Sequence, residues 1–319
     1  MRKIPVALTV VALAAVALTG CSQSAADACP RPSADPEVAK LVTVTGDQED
    51  APRVKVYTPL HTDELVVDDV VRGEGTPITT ADQVAVVDVA VISAETGEEI
   101  VSTPYDGDLS RAFAISRWEQ TFPTFDRIVE CATEGSRIVA ALPPGDVAPE
   151  AAASFGMSED DSVVLVVDVR KVFLPRADGA DQFNADRGMP SVVRAPNGRP
   201  GIIVPDGAPP AELVVQTLKK GDGEAISSDA PFRAHYTGLT WDDRDVFQTT
   251  WDGEPASLML DSLVPGVAEA LEGATVGSQV LVVVPPELGY GDEDQAGIPA
   301  GSTLVFVFDI LGIDAAPAE

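Results

Sequence analysis

The residues that decide the fold lie between Arg233 and Asp309. There the chain reads Arg233-Ala-His-Tyr-Thr-Gly238, Val264-Pro-Gly-Val267, Pro285-Pro-Glu-Leu-Gly-Tyr-Gly291 and Ile298-Pro-Ala-Gly-Ser-Thr-Leu-Val-Phe306. Apolar and aromatic runs bounded by glycine and proline turns are typical of strands. The stretch therefore predicts a strand-rich domain that carries an ordered set of apolar and tyrosyl positions.

The two halves of the chain repeat each other. Matching blocks with identical internal spacing are Ala132-Thr-x-Gly-Ser136 before Pro143-Pro144, and Ala274-Thr-x-Gly-Ser278 before Pro285-Pro286. Further pairs are Pro123 with Pro265, Arg72-Gly73 with Lys220-Gly221, and Val163 to Asp168 with Leu304 to Asp309. Agreement at so many offsets indicates a tandem duplication of one domain.

Composition and turn signals divide the chain into segments. We assign residues 1–20 to a signal peptide and 21–50 to a tether and N-terminal segment. Residues 51–175 form the first predicted domain, 176–190 a polar linker, and 191–315 the second domain. The linker runs Pro175-Arg-Ala-Asp-Gly-Ala-Asp-Gln-Phe-Asn-Ala-Asp-Arg-Gly-Met-Pro190 and shows no usable periodicity.

The N-terminus indicates export. A basic Met1-Arg2-Lys3 precedes an apolar run, Ile4 to Leu18, that is short for a membrane span. The run ends in Leu18-Thr-Gly-Cys21, which resembles the lipobox of bacterial lipoproteins. That resemblance implies cleavage before Cys21, lipidation of its thiol, and a lipid-anchored protein at the extracytoplasmic face of the cell membrane. The alternative is an ordinary secretory signal with an incidental cysteine.

Three cysteines are present, so lipidation of Cys21 leaves Cys29 and Cys131. We predict that these two form a disulfide, because an exported protein meets a compartment that permits disulfides. The alternative is a pair of free buried thiols, since sequence does not give distance.

The net charge is -30 at pH 7. So acidic a surface repels phosphate backbones and anionic head groups, which argues against nucleic acid as a partner. We therefore expect any attachment to the membrane to come from the N-terminal lipid.

The ordered set between Arg233 and Phe306 resembles the FKBP family of peptidyl-prolyl cis-trans isomerases over roughly residues 210 to 312. The resemblance implies an α+β fold of two tandem FKBP-like domains. Each would be an antiparallel sheet of about five strands wrapped around one short helix. We place the helix near Pro123 to Cys131 in the first domain and near Pro265 to Leu271 in the second.

The same resemblance implies the residues of an active site in the second domain. The catalytic residues would be Tyr236, Phe247, Val264, Tyr290 and Phe306. The substrate-binding residues would be Gln248, Leu258, Leu263, Val267 and Ile298. Rotation about a prolyl bond needs an apolar pocket and a few fixed donors but no proton transfer, so the resemblance implies no cofactor and no metal. Neither histidine, His61 or His235, suggests a nucleophilic triad or a zinc site.

Three positions depart from the family pattern. Gln248 stands where the family usually has aspartate, Val267 stands where a tryptophan commonly forms the pocket floor, and Ala256 stands where a lining aromatic residue is expected. The implied partners are proline-containing exported polypeptides and macrolide inhibitors. The alternative is that the chain is a non-catalytic binding or chaperone module, and Gln248 and Val267 favour it.

The first domain has lost the polar groups of the implied site. Val89, Ala148 and Leu165 stand where the second copy has Tyr236, Tyr290 and Phe306. The first copy instead has Phe122 and Phe125 opposite Val264 and Val267, and these rings would fill its pocket from within. We therefore predict a structural or partner-binding first domain and a catalytic second domain.

Overall fold

The computed structural model describes residues 29–31, 38–48, 50–158, 160–184 and 187–315. The predicted signal peptide and the predicted lipidation site, Cys21, lie outside the described residues. Within the described ranges no helix has the length and apolar character needed to cross a membrane.

The first half of the chain consists mainly of antiparallel strands. Its helices are α1 (Val38–Leu41), α2 (Ser116–Glu119), α3 (Phe125–Val129) and α4 (Pro149–Ser154). Its strands are β1 (Val42–Thr45), β2 (Arg53–Val56), β3 (Val66–Val71), β4 (Glu74–Pro77), β5 (Val84–Ser93), β6 (Glu99–Ser102), β7 (Phe113–Ala114), β8 (Thr133–Glu134), β9 (Arg137–Leu142) and β10 (Val163–Val172). The main sheet has the order β3-β9-β10-β5-β6, and β7 also pairs with β5.

The second half has the same plan. Its strands are β11 (Ala180–Asp181), β12 (Ser191–Arg194), β13 (Pro200–Ile203), β14 (Val214–Lys220), β15 (Phe232–Thr240), β16 (Val246–Thr249), β17 (Ala256–Leu258), β18 (Gln279–Val284) and β19 (Leu304–Ile313). Its helix is α5 (Pro265–Leu271), and single 3-10 turns occur at Leu260–Ser262 and Pro286–Leu288. The sheet order is β11-β14-β18-β19-β15-β16, and β17 also pairs with β15.

Strand register reproduces the sequence repeat. Val66 lies opposite Ala141 in the first sheet, and Val214 lies opposite Val283 at the matching position of the second. In the first sheet the longest antiparallel ladder joins β10 to β5, and in the second sheet the longest ladder joins β19 to β15. Each half is thus an α+β unit built on an antiparallel sheet. In the second half the sheet packs on α5, whereas in the first half α2 and α4 pack on the core beside α3.

The second helix begins where the sequence predicted. Pro265 occupies the first turn of α5, where its missing N–H costs no hydrogen bond. Gly266 allows the helix to approach the sheet closely, because a Cβ at this position would lie 2.7 Å from Cγ1 of Val284. In the first half α3 is shorter than the predicted range and covers Phe125–Val129.

The central strands of both sheets are buried on both faces. β10 is buried at every residue from Val163 to Val169, and its continuous apolar part, Val163 to Val167, needs a cover on each side. On the face opposite α3 the cover is the β1–β2 hairpin, and on the face opposite α5 it is the β12–β13 hairpin with Val204. β1 lies in the segment 21–50 that we assigned to the tether, and β11 lies in the predicted linker.

The two halves are in direct contact through the end of β10 and the segment that follows it. Leu174 donates its N–H to the carbonyl of Leu311 at 3.0 Å, and Lys171 Nζ donates to the carbonyl of Ile313 at 2.6 Å. Between these residues the Phe173 ring is buried against Gly312, where a Cβ would lie 2.5 Å from its Cδ1. The last strand of one sheet is therefore joined to the end of the last strand of the other.

The N-terminal tail is fastened to the first sheet. Cys29 is disulfide-bonded to Cys131 across a sequence separation of 102 residues, with Cα atoms 5.4 Å apart. Beside it Arg31 pairs with the buried Asp69 at 2.5 Å and donates to the carbonyls of Ile128 and Glu130. The tail therefore packs next to α3.

Candidate functional site

Most of the residues implied by the resemblance lie in one apolar cluster between α5 and the inner face of the second sheet. These are Tyr236, Phe247, Leu258, Leu263, Val264, Val267, Ile298 and Phe306. Gln248, next to Phe247 on β16, and Tyr290 are exposed. The structure thus brings together side chains from four strands, α5 and two loops.

Four aromatic rings run through this cluster in a continuous series. The Phe247 ring meets Phe306 edge-on at a centroid distance of 5.6 Å. Phe306 is stacked on Phe308 at 5.6 Å, and Phe308 is stacked on Tyr236 at 5.2 Å. Aromatic contacts of this kind add about 0.5 to 1.5 kcal/mol per pair to the burial of the rings. The series links the half-buried Phe247 to Tyr236.

Gly238 makes room for the edge-on ring pair. It lies opposite Phe306 in the β15–β19 ladder. A Cβ at this position would lie 2.6 Å from Cε1 of Phe306 and 2.7 Å from Cζ of Phe247. The glycine of the His-Tyr-Thr-Gly motif is therefore required by the rings of the site.

Two hydrogen-bond donors in the cluster are uncommitted. The Tyr236 side chain is only 8% exposed, and its hydroxyl has no hydrogen-bond partner among the described residues. Burial raises the pKa of Tyr236, and the nearby Tyr290 phenol raises that pKa further. The Val264 carbonyl accepts from Val267 and Ala268 at the start of α5, but within the described ranges no acceptor takes the Val264 N–H. Both groups are available to a ligand.

Tyr290 is carried by a loop that closes on itself. The loop follows the 3-10 turn Pro286–Leu288, and Gly301 donates to the Gly291 carbonyl at 2.8 Å across its base. The Tyr290 side chain is 38% exposed. Its position at the mouth of the cluster gives a third donor that solvent can reach.

The first sheet carries a different aromatic arrangement. Phe122 and Phe125 are fully buried on the helix side of its core. Trp118 is stacked on Phe125 at 5.2 Å, and Phe155 is stacked on Phe122 at 6.4 Å. The rings that the sequence predicted to fill this copy from within do lie inside its core.

His235 and Asp309 belong to the opposite face of the second sheet. The His235 ring is stacked on Trp251 at 4.2 Å, and its Nδ1 lies 2.9 Å from the Thr250 hydroxyl. Asp309 accepts hydrogen bonds from the N–H of Ala177 at 2.8 Å and from Nε2 of Gln279 at 2.6 Å. Because these groups lie behind the sheet, neither can act on a ligand held by the aromatic series.

The second sheet also buries a tryptophan on the face away from the site. Trp241 lies in the turn after β15 and is only 2% exposed. Its indole N–H donates to the Gly207 carbonyl at 2.9 Å. Trp241 is buried because the β12–β13 hairpin, which the sequence did not predict, covers this face of the sheet.

Burial lowers the pKa of His235 and raises the pKa of Asp309. The two shifts change the free energy of unfolding in opposite directions as the pH varies. The pKa of His235 falls from 6.5 to about 4, so its contribution is full above pH 6.5 and is lost as the pH falls. The pKa of Asp309 rises from 3.8 to about 6, so its contribution is full below pH 3.8 and is lost as the pH rises through 6. The two contributions therefore offset each other between about pH 4 and 6.

Separating these contributions gives a testable result. Relative to the unmodified chain, His235→Gln should gain about 1 to 2 kcal/mol of unfolding free energy on going from pH 7 to pH 5. Asp309→Asn should lose about as much over the same interval. Urea unfolding at the two pH values measures both, and changes of the same sign in the two variants would contradict the assignment.

The described residues contain no group of three or more histidine, cysteine, aspartate or glutamate side chains placed to hold a metal ion.

The sequence reasoning missed one member of the site, Phe308. The signal was present, because Phe308 alternates with Phe306 on the same strand and shares its face. The family resemblance drew attention only to the wall positions.

Comparison with known proteins matches the second half of the chain. A family described as FKBP-type peptidyl-prolyl cis-trans isomerase matches residues 223–311. A probable FK506-binding protein of Corynebacterium glutamicum is 31% identical over 114 residues, which cover 35% of this chain and 97% of that protein. FkpA of Escherichia coli K12, an FKBP-type isomerase, is 37% identical over 105 residues, or 33% of this chain and 39% of FkpA.

Solved structures give matches of low TM-score. The FkpA crystal structure has 32% identity and a TM-score of 0.32, covering 42% of this chain and 55% of FkpA. The three FKBP domains of wheat FKBP73 have 15% identity and a TM-score of 0.30, covering 78% of this chain and 94% of that one. The assignment therefore depends on the sequence matches, of which the one from Corynebacterium spans nearly a whole relative. The chain belongs to the FKBP family of peptidyl-prolyl cis-trans isomerases.

Proposed function

We propose that the second half of the chain is a peptidyl-prolyl cis-trans isomerase acting on proline-containing segments of exported polypeptides. One observation carries the proposal. The aromatic cluster and its uncommitted donors, Tyr236 and the Val264 N–H, occur together in the second copy, whereas the first copy has filled the corresponding space with Phe122 and Phe125. Only the second copy has both the apolar surroundings and the donors that the reaction requires.

The reaction has a barrier of ~18 to 20 kcal/mol because rotation breaks amide resonance. An apolar pocket lowers it, since the twisted amide is less dipolar than the planar one and is better tolerated away from water. In this chain Phe247, Phe306 and Ile298 would surround the proline ring. No proton leaves a substrate atom, so the absence of a base on this face of the sheet is no obstacle.

The donors would hold the chain on either side of the proline. The Val264 N–H and the Tyr290 hydroxyl are placed to bind substrate carbonyls, and the Tyr236 hydroxyl lies deeper in the wall. When both flanks are held while the prolyl bond rotates, the binding energy is used to orient the substrate. Gln248, which is exposed, would contact the substrate as a neutral donor and acceptor.

The N-terminal sequence supports a location for this activity. A basic start, an apolar run and Leu18-Thr-Gly-Cys21 favour a lipid anchor on Cys21, with the protein at the extracytoplasmic face of the cell membrane. The clients would be polypeptides that fold after export. Macrolides that mimic a prolyl segment would compete for the same pocket.

A protease-coupled assay on an X-Pro peptide tests the enzyme. The unmodified chain should accelerate isomerisation, and removing each hydroxyl by Tyr236→Phe or Tyr290→Phe should lower kcat/KM about three- to tenfold, the value of one net hydrogen bond. The double variant should combine both losses.

Tyr57→Phe is the matched control. Tyr57 is exposed and lies in the first half of the chain, so its replacement should leave kcat/KM unchanged. If the unmodified chain gives no acceleration at micromolar protein, the enzyme proposal is wrong. A chain that then still bound proline-containing peptides would be a binding module, as Gln248 and Val267 would favour.

A further inference from the structure

We propose that Phe308 is a positioning residue that holds the Tyr236 ring in the site, a role that depends on the proposed isomerase function only for its effect on rate. Phe308 is 2% exposed, so a ligand in the cluster would not touch it. Among the described aromatic pairs its ring is the one stacked on both Tyr236 and Phe306. The two wall residues therefore share a single buried support.

Strand register places this support at the centre of the sheet. Phe308 lies directly opposite Tyr236 on β15 and opposite Val280 on β18. Directly opposite side chains on one face of an antiparallel pair have Cβ atoms about 4.5 to 5.5 Å apart, so each restricts the other. A central strand cannot shift to compensate for a lost side chain as an edge strand can.

The first copy shows what the same position does without a site. There Val167 takes the place of Phe308 and lies opposite Val89, which takes the place of Tyr236. In the second copy the large side chain lies on the sheet, at Phe308. In the first copy the large side chain lies on the helix, at Phe125, which is the position equivalent to Val267. Both copies thus combine one large and one small residue at these two places, but in opposite arrangements.

This exchange separates two roles that a single substitution would confuse. If Phe308 served only to fill space, a phenylalanine ring introduced at position 267 on α5 would replace it. If Phe308 positions Tyr236, the ring must be on β19, where it lies directly opposite Tyr236 and stacks on its ring. The first copy carries its ring on the helix, at Phe125, and has valine, Val89, at the position equivalent to Tyr236.

Three variants of the full chain test the proposal. Phe308→Leu keeps most of the volume but removes the ring, Phe308→Val with Val267→Phe reproduces the arrangement of the first copy, and Val167→Ala is the control in the first half. Each is compared for kcat/KM in the X-Pro assay, for urea unfolding, and for the ¹³Cζ signals of labelled tyrosine. The chain has four tyrosines, so Tyr236→Phe assigns the relevant signal.

We expect Phe308→Leu to lower kcat/KM about tenfold and to move the Tyr236 signal, because a small misplacement of a substrate-contacting group costs a large factor in rate. The exchanged double variant should recover the urea midpoint but not the Tyr236 signal. It is judged by these two measurements alone, because Val267 is itself one of the substrate-binding residues. The control should leave kcat/KM and the Tyr236 signal unchanged. Recovery of the signal in the double variant, or an unchanged Tyr236 signal in Phe308→Leu, would overturn the proposal.

Failure of the isomerase function would give a different pattern. In that case the unmodified chain would not accelerate the reaction. The Tyr236 signal would still move in Phe308→Leu and remain displaced in the double variant if Phe308 positions the ring. The spectroscopic result therefore decides the role of Phe308 independently of the rate.

Discussion

Replacing Gly238 by alanine is expected to lower kcat/KM of the X-Pro reaction by about 100-fold. The added Cβ would lie 2.6 Å from Phe306 and 2.7 Å from Phe247, distances that real Cβ contacts do not show. Gly238 is on a central strand, so the rings rather than the backbone must move. A displacement of about 1 Å in both rings is enough for a loss of this size.

Gly253→Ala is the matched control, because no atom lies within 4 Å of a Cβ built there. The same assay compares both variants, and urea unfolding shows that both remain folded, at a cost of about 1 to 3 kcal/mol for the overpacked site. Full activity in Gly238→Ala would show that the edge-on pair of Phe247 and Phe306 is not needed for catalysis.

Removing the disulfide is expected to lower the free energy of unfolding of the first half by about 3 to 5 kcal/mol. The Cys29–Cys131 bond closes a loop with a sequence separation of 102 residues, and loops of this size lose the most chain entropy in the unfolded state on cross-linking. The contacts of Arg31 with Asp69 and with the carbonyls next to α3 depend on the same attachment.

Cys29→Ser and Cys131→Ser should each give this loss, and the double variant should add little, because either change opens the same loop. Urea unfolding of the three variants measures the effect, and the X-Pro assay should show unchanged kcat/KM because the proposed site lies in the second half. A loss much below 2 kcal/mol in Cys29→Ser would show that the tail contributes little to the first half.

The elements that contain local signals could be predicted from the sequence. Pro265 and Gly266 mark the start of α5, and the matched blocks at Gly135 and Gly277 fix the repeat, so the ladders of both sheets follow. The site residues come together because they alternate on strands that face α5. For these residues, the spacing in the sequence and the geometry of the strands predict the same arrangement on one face of the sheet.

The covers of the two outer faces could not be predicted in the same way. Val163 to Val167 reads as a continuous apolar run, which indicates that both faces of β10 are buried but does not say by what. The covering hairpins consist of short strands, such as Val42–Thr45, whose local preference is weak and whose partners are distant in sequence. The burial of Trp241 depends on the same long-range pairing.

The segment between the two sheets has a consequence for the limits of the second domain. Ala177 supplies the N–H that Asp309 accepts, Gly179 donates to Gly277, and β11 extends the second sheet at Lys219 and Lys220. All of these lie before residue 191, where composition alone would start the domain. A fragment that keeps these contacts of the second sheet must therefore begin at or before Ala177, and a fragment cut at residue 191 would leave the buried Asp309 carboxylate without one of its donors.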